Sequence, residues 1–210
     1  MITVHHLNNS RSQRILWLLE ELALPYRIHL YQRQPSMAAP DELKGIHPLG
    51  KAPLVEDDDG GGRVLVETGA ICEYLVRKAG GRLGEPQDEA GSILYRQFLH
   101  YAEGSVMPIL FSMLVAKRIP IMGRMVVRKI RPMVDVHLDF IEAELSSRPW
   151  FAGDTLTAAD IMMSFPLEAA KSRSLTGVSH PSIDRWLDAI HSRPAYRRGL
   201  QKGGDYAFAR

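Results

Sequence analysis

Three short segments of the 210-residue chain carry side chains whose types and spacing suit chemistry on a small ligand. Asn9-Ser10-Arg11-Ser12-Gln13-Arg14 places an amide and two hydroxyls between a strand-like run and a helical one. Ser10 or Ser12 serves there either as a helix cap or as a hydrogen-bond donor to a thiolate brought by a ligand. Such a bond favours the charged form and lowers the thiol pKa below its free value of about 8.5. A serine nucleophile would need a histidine base and an orienting acid, and the chain has no G-x-S-x-G elbow, so a hydrolase is not expected. Lys51-Ala52-Pro53 sets a proline at a strand start, where its missing N–H is tolerated. A cis Ala52-Pro53 bond would offer the N–H and C=O of Ala52 to an extended peptide ligand; a trans bond would make this an ordinary strand start. Glu67-Thr68 opens a helix, whose unpaired N–H groups suit a carboxylate while Glu67 suits an ammonium, together matching an α-amino acid head group. The alternative is a plain N-cap by Thr68.

The elements that must position these segments alternate. Ile2 to Leu7 reads as a strand, and Arg14 to Leu24 carries Ile15, Leu18, Leu19 and Leu22 at helical spacing, closed by Pro25. Tyr26 to Tyr31 alternates as a half-buried strand does, and Asp41 to Gly45 suggests a helical turn. Pro53-Leu-Val-Glu and Arg63-Val-Leu-Val flank an oversized Asp/Gly turn, and Glu67 to Lys78 closes the unit as a helix. The expected order is β-α-β-α-β-β-α over residues 1–80. From Asp88 onwards only helical periodicity remains, so residues 88–210 are expected to form an all-α bundle. Val126, Ile130, Val134, Leu138, Ile141 and Leu145 make one apolar helix face, within which Pro132 predicts a kink or break.

Composition excludes several classes. Apolar residues are 45% and charged residues 24%, as in folded globular chains, and the net charge of +2 gives no electrostatic footprint for nucleic acid. One cysteine, Cys72, excludes an internal disulfide, a four-cysteine metal site and a CxxC pair, and the compartment is expected to be reducing; no metal is expected. Met1 leads into Ile-Thr-Val and then polar residues, which predicts no cleavable signal. Apolar stretches such as Met107 to Ala116 fall short of the roughly 20 residues of a membrane span. The protein is expected to be cytoplasmic and free of membrane.

In this order and separation, the three segments, together with Glu67-Thr-Gly-Ala-Ile-Cys-Glu-Tyr-Leu75 and Phe151-Ala-Gly-Asp-Thr-Leu-Thr-Ala-Ala-Asp160, resemble the glutathione transferase family over essentially the whole chain. The resemblance implies a thioredoxin-like domain that binds glutathione, followed by a helical domain that holds a hydrophobic electrophile. It implies that Ser10 is the thiolate-stabilising hydroxyl, with Asn9 and Ser12 as secondary candidates. It further implies that Lys51 meets the glycyl carboxylate, that the Ala52 backbone pairs with the cysteinyl part, that Pro53 is cis, and that Glu67 and Thr68 hold the γ-glutamyl end. The implied activity is detoxifying conjugation of glutathione by a homodimer. Peroxidase or disulfide reductase chemistry at the same site, and non-catalytic glutathione or ligand binding, are the alternatives. The first strand reads His5-His6 where tyrosine-type classes carry their tyrosine, so tyrosine chemistry is not expected.

Other features read as structural. Cys72 falls among packing residues. Thr157-Ala-Ala-Asp160 is a variant capping box, with Leu156 and Ile161 placed as a hydrophobic staple. Arg124, Arg128 and Arg131 share a helix face, solvated or overhanging an acceptor site, and seven of the nine methionines lie in the helical part, as core or as the lining of a permissive pocket.

Overall fold

A computed structural model describes residues 1–175 and 179–209. The first unit begins with β1 (Ile2–Leu7), α1 (Ser12–Leu22), β2 (Tyr26–Tyr31), α2 (Glu42–Ile46), β3 (Leu54–Asp57), β4 (Val64–Leu65) and α3 (Thr68–Lys78). The sheet order is β2-β1-β3-β4; β1 runs parallel to β2 and antiparallel to β3, and β3 is antiparallel to β4. This is the small mixed sheet of a thioredoxin-like domain, in the expected element order. The register pairs His5 with Leu54 and Val55 with Leu65. The carboxyl ends of β1 and β4 and the amino end of β3 therefore lie at one end of the sheet.

Helix α1 is buried from Ser12 through Leu19, which exceeds what one amphipathic stripe would cover. The reason is a second partner: helix α9 (Pro194–Gly203) returns from the far end of the chain and packs along α1. A Cβ on Gly199 would lie 3.1 Å from the Trp17 backbone nitrogen, so the two backbones approach closely at a residue without a side chain. Charges fasten the pair. Glu21 receives Arg193 Nε at 2.5 Å, and Glu20 receives Arg198 Nε at 2.7 Å and Lys202 Nζ. The first compact unit thus comprises residues 1–84 and 191–209, whereas sequence periodicity alone grouped everything from 88 to 210 as helical; residues 176–178 and 210 of that span lie outside the described residues.

The second unit contains α4 (Glu89–Tyr101), a π-helical turn (Ala102–Val106), α5 (Met107–Arg118), α6 (Gly123–Ser147), α7 (Ala158–Ser172) and most of α8 (Pro181–Ser192). The π turn joins α4 to α5, so Glu89–Arg118 is continuous over 30 residues and passes for a membrane span by length and composition, unlike the short apolar stretches read from sequence. Its buried face packs on α6 and α7. Helix α6 is continuous through Pro132, so of the kink or break expected there the break does not occur. Val134, Leu138, Ile141 and Leu145 are all buried beyond it, and that burial outweighs one lost backbone hydrogen bond.

Candidate functional site

At the shared end of the sheet, the loop from Asn8 to Arg11 leads from β1 into α1. Asn9 has a left-handed backbone (φ 50°), which asparagine tolerates better than most residues. Arg33 holds the loop from the β2 side. Its backbone N–H donates to Asn8 Oδ1 (2.8 Å), Nε to the Asn8 carbonyl (3.1 Å) and Nη2 to the Asn9 carbonyl (3.1 Å). On the other side, Ala207 N–H donates to Asn9 Oδ1 at 2.7 Å.

The two serines have different surroundings. Ser12 is completely buried; its Oγ lies 2.8 Å from His6 Nδ1 and 2.7 Å from Ser10 Oγ, and accepts the Leu7 N–H at 3.1 Å. Ser10 Oγ accepts the Ser12 N–H at 3.2 Å and forms the outer end of this hydroxyl chain. Neither serine occupies the N-cap position, which falls to Arg11 without a side-chain cap. His6 is buried and its Nε2 faces the Gly203 carbonyl at 3.1 Å. Burial pulls its pKa down to about 4, so the ring is neutral.

The Ala52-Pro53 bond is cis. The Ala52 methyl packs on the core cluster of Leu7, Tyr31, Leu43 and Leu54, while its N–H and C=O make no hydrogen bond among the described residues. Lys51 beside it is exposed. At the start of α3, Glu67 and not Thr68 holds the N-cap position, and no side-chain cap is made. Glu67 is exposed and has φ 66° and ψ 119°, a strained backbone for a residue with a side chain. Its carbonyl accepts Ile71 N–H at 2.9 Å, which leaves the N–H groups of Thr68, Gly69 and Ala70 without an intrahelical acceptor. Helix α3 is tied to the hairpin by buried Asp57, which accepts Tyr74 Oη (2.7 Å) and pairs with Lys78 Nζ (2.8 Å). Burial alone would raise Asp57, but these bonds outweigh it and hold its pKa near 2.

The arrangement gathers a hydroxyl at a helix N-terminus, an unpaired backbone donor and acceptor, and a second helix N-terminus flanked by a carboxylate, all along one sheet end. It suits an extended, zwitterionic peptide bearing a thiol. The family profile described as glutathione S-transferase, N-terminal domain, matches residues 10–78, and that of the C-terminal domain matches residues 106–194. Glutathione S-transferase 3 of Schizosaccharomyces pombe is 37% identical over 98% of this chain and 89% of its own length.

The chain belongs to the glutathione S-transferase family. Glutathione S-transferase 1 of Saccharomyces cerevisiae is 36% identical over 96% of this chain and 95% of its own. A disulfide-bond oxidoreductase of Escherichia coli is 26% identical over 96% and 95%. Among solved structures, a glutathione S-transferase from Actinobacillus pleuropneumoniae matches with TM-score 0.88 and 32% identity, covering 100% of this chain and 95% of that one. A glutathione transferase from Burkholderia graminis, with two glutathione molecules bound per subunit, matches with TM-score 0.81 and 26% identity over 95% of this chain and 87% of that one.

In this transferase, Cys72 is fully buried and its thiol is pushed up to about 12, as a packing residue's would be. Met107, Met113, Met162 and Met163 are buried, whereas Met122, Met125 and Met133 are exposed. Arg124 and Arg128 are exposed, and Arg131 Nε pairs with Asp135 at 3.0 Å. The contacts made by His6, Arg33, Gly203 and Ala207 had no sequence signal, because their partners lie from 6 to 198 positions away and follow no local pattern.

Proposed function

We propose that this enzyme binds glutathione along the sheet end and conjugates its thiolate to a hydrophobic electrophile. In this reading the Ser10 hydroxyl and the N-terminus of α1 stabilise the thiolate. Lys51 takes the glycyl carboxylate, and the N–H and C=O of Ala52 pair with the cysteinyl part beside Pro53. Thr68 and the N-terminus of α3 take the γ-glutamyl carboxylate, and Glu67 takes its ammonium. The thiol proton leaves to solvent, the thiolate forms a C–S bond with the electrophilic carbon, and the leaving group departs with the electron pair. We assign the acceptor-binding surface to the helical unit, and the working state to a cytoplasmic homodimer engaged in detoxification.

The observation that carries this reading is the backbone of Ala52, unpaired among the described residues, beside the open N-terminus of α3, which is entered through the strained, exposed Glu67. Calorimetric titration of glutathione into Glu67→Ala tests it. Loss of a charged hydrogen bond of about 1.5 to 3 kcal/mol corresponds to roughly tenfold to hundredfold weaker binding. Unchanged affinity would place the γ-glutamyl end elsewhere. The disulfide-bond oxidoreductase among the relatives favours a second reading, in which the same thiolate reduces a disulfide. Turnover of a generic aryl halide separates conjugation from disulfide reduction, and tight binding without either activity would indicate a carrier.

A further inference from the structure

The hydroxyl that faces the thiol is anchored, through two buried side chains, on the far end of the polypeptide. A carbonyl only accepts, so the His6 nitrogen facing the Gly203 carbonyl at 3.1 Å carries the proton. In a neutral ring Nδ1 is then an acceptor for the Ser12 hydroxyl 2.8 Å away, the nearer of the two acceptors within that hydroxyl's reach, the other being the Leu7 carbonyl at 3.2 Å. With its proton committed, Ser12 Oγ accepts twice, from Leu7 N–H at 3.1 Å and from the Ser10 hydroxyl at 2.7 Å. The Gly203 carbonyl thereby sets the direction of the whole chain and fixes Ser10 Oγ in place. A bound thiolate draws the Ser10 proton outward by rotation about Cβ–Oγ, giving up the bond to Ser12 Oγ while the Ser12 N–H, at 3.2 Å, keeps its hold on the oxygen.

The approach of α9 is specific to a glycine. A Cβ on Gly203 would lie 2.6 Å from Gln13 Oε1, 2.8 Å from Leu16 Cδ1 and 3.2 Å from His6 Nε2. Four residues on, the same segment makes its second contact with the loop, from Ala207 N–H to Asn9 Oδ1 at 2.7 Å, and so holds the left-handed residue that precedes Ser10. The segment thus bonds His6 and Asn9, both ahead of Ser10, and reaches Ser12 beyond it only through His6.

We propose that the segment from Gly203 to Ala207, acting through His6, Ser12 and Asn9, positions the Ser10 hydroxyl for the glutathione thiolate, an inference that rests on the assignment of Ser10 above. These are positioning residues, since none of them touches the sulfur.

The test is a pH titration of the thiolate absorbance of bound glutathione in the full chain. Ala207→Pro removes one N–H at an exposed position, Ala207→Gly keeps it, and Gly203→Ala presses on His6. Ala207→Pro and Gly203→Ala are expected to raise the bound thiol's pKa by about half a unit to one unit, a threefold to tenfold loss of thiolate at a pH below it. Ala207→Gly is expected to match the parent protein. Affinity for S-methylglutathione, which has no thiol proton, is expected to stay within about twofold in all three, because the binding groups for its two ends are untouched. Nitrogen-15 NMR of His6 in the parent protein should show the tautomer protonated at Nε2. An unshifted pKa in both Ala207→Pro and Gly203→Ala, with Ser10→Ala shifted, would overturn this inference alone. An unshifted Ser10→Ala would overturn the assignment of Ser10 and this inference with it. His6 protonated at Nδ1 would also overturn it.

Discussion

Replacing Asp160 by alanine removes the acceptor for three buried N–H groups at once. Its Oδ1 receives Phe151 N–H at 3.0 Å and Trp186 Nε1–H at 3.2 Å, and its Oδ2 receives Thr157 N–H at 2.9 Å and the Thr157 hydroxyl at 3.1 Å. Asp160 is completely buried, and burial pushes its pKa up to about 6 against the pull of these donors, so the side chain is ionised at neutral pH. Each orphaned N–H costs about 1 kcal/mol or more, which puts Asp160→Ala at about 3 to 5 kcal/mol of destabilisation. Asp160→Asn keeps Oδ1 for Phe151 and Trp186 but turns an amide donor toward Thr157 N–H, for about 1 to 2 kcal/mol. Thr157→Ala loses only the hydroxyl's contribution, about 1 kcal/mol. Urea unfolding at neutral pH, followed by circular dichroism, should rank the variants in that order below the parent. An unfolding free energy for Asp160→Ala within about 1 kcal/mol of the parent's would refute the view that this carboxylate fastens the loop before α7 to the helical core.

Two further outcomes follow from charge and burial. Burial alone would raise Glu20, but hydrogen bonds from Lys202, Arg198 and Tyr26 outweigh it and bring its pKa down to about 2. A carboxylate depressed in the folded state contributes stability that is full above its unfolded pKa of about 4.3 and is lost as pH falls toward 2. Acid titration of stability should therefore show a loss over that window that Glu20→Gln flattens, with Glu20→Gln itself costing about 1 kcal/mol at neutral pH. Cys72, buried with its thiol raised to about 12, should resist a thiol reagent in the native protein and react fully in denaturant; rapid native labelling would contradict its placement in the core.

Local patterns carried far in this chain. The alternation and helical spacing of residues 2–31 located β1, α1 and β2, and the stripe from Val126 to Leu145 located the buried face of α6, because both report a single element against a single apolar surface. The Thr157-to-Asp160 box was visible for the same reason, its partners lying three residues apart. Three features were not visible. Helix α9 has the periodicity of any bundle helix, and nothing local says that its partner is α1. The π turn at Ala102–Val106 contains Gly104 and is followed by Pro108, which read as interruptions, so α4 and α5 look from sequence like shorter apolar runs than the continuous helix they form. His6 read only as the absence of a tyrosine, since its meaning comes from Gly203, 197 positions away.

The central claim is that this fold activates the thiol of a bound glutathione through Ser10. Its most direct measurement is the pH dependence of the thiolate absorbance of glutathione bound to the parent protein and to Ser10→Ala. A bound pKa below that of the free thiol, rising by about one to two units in Ser10→Ala with little change in affinity, is the expected result, equivalent to losing one hydrogen bond to a charged group. Identical titrations for the two proteins, or a bound pKa equal to that of free glutathione, would contradict it.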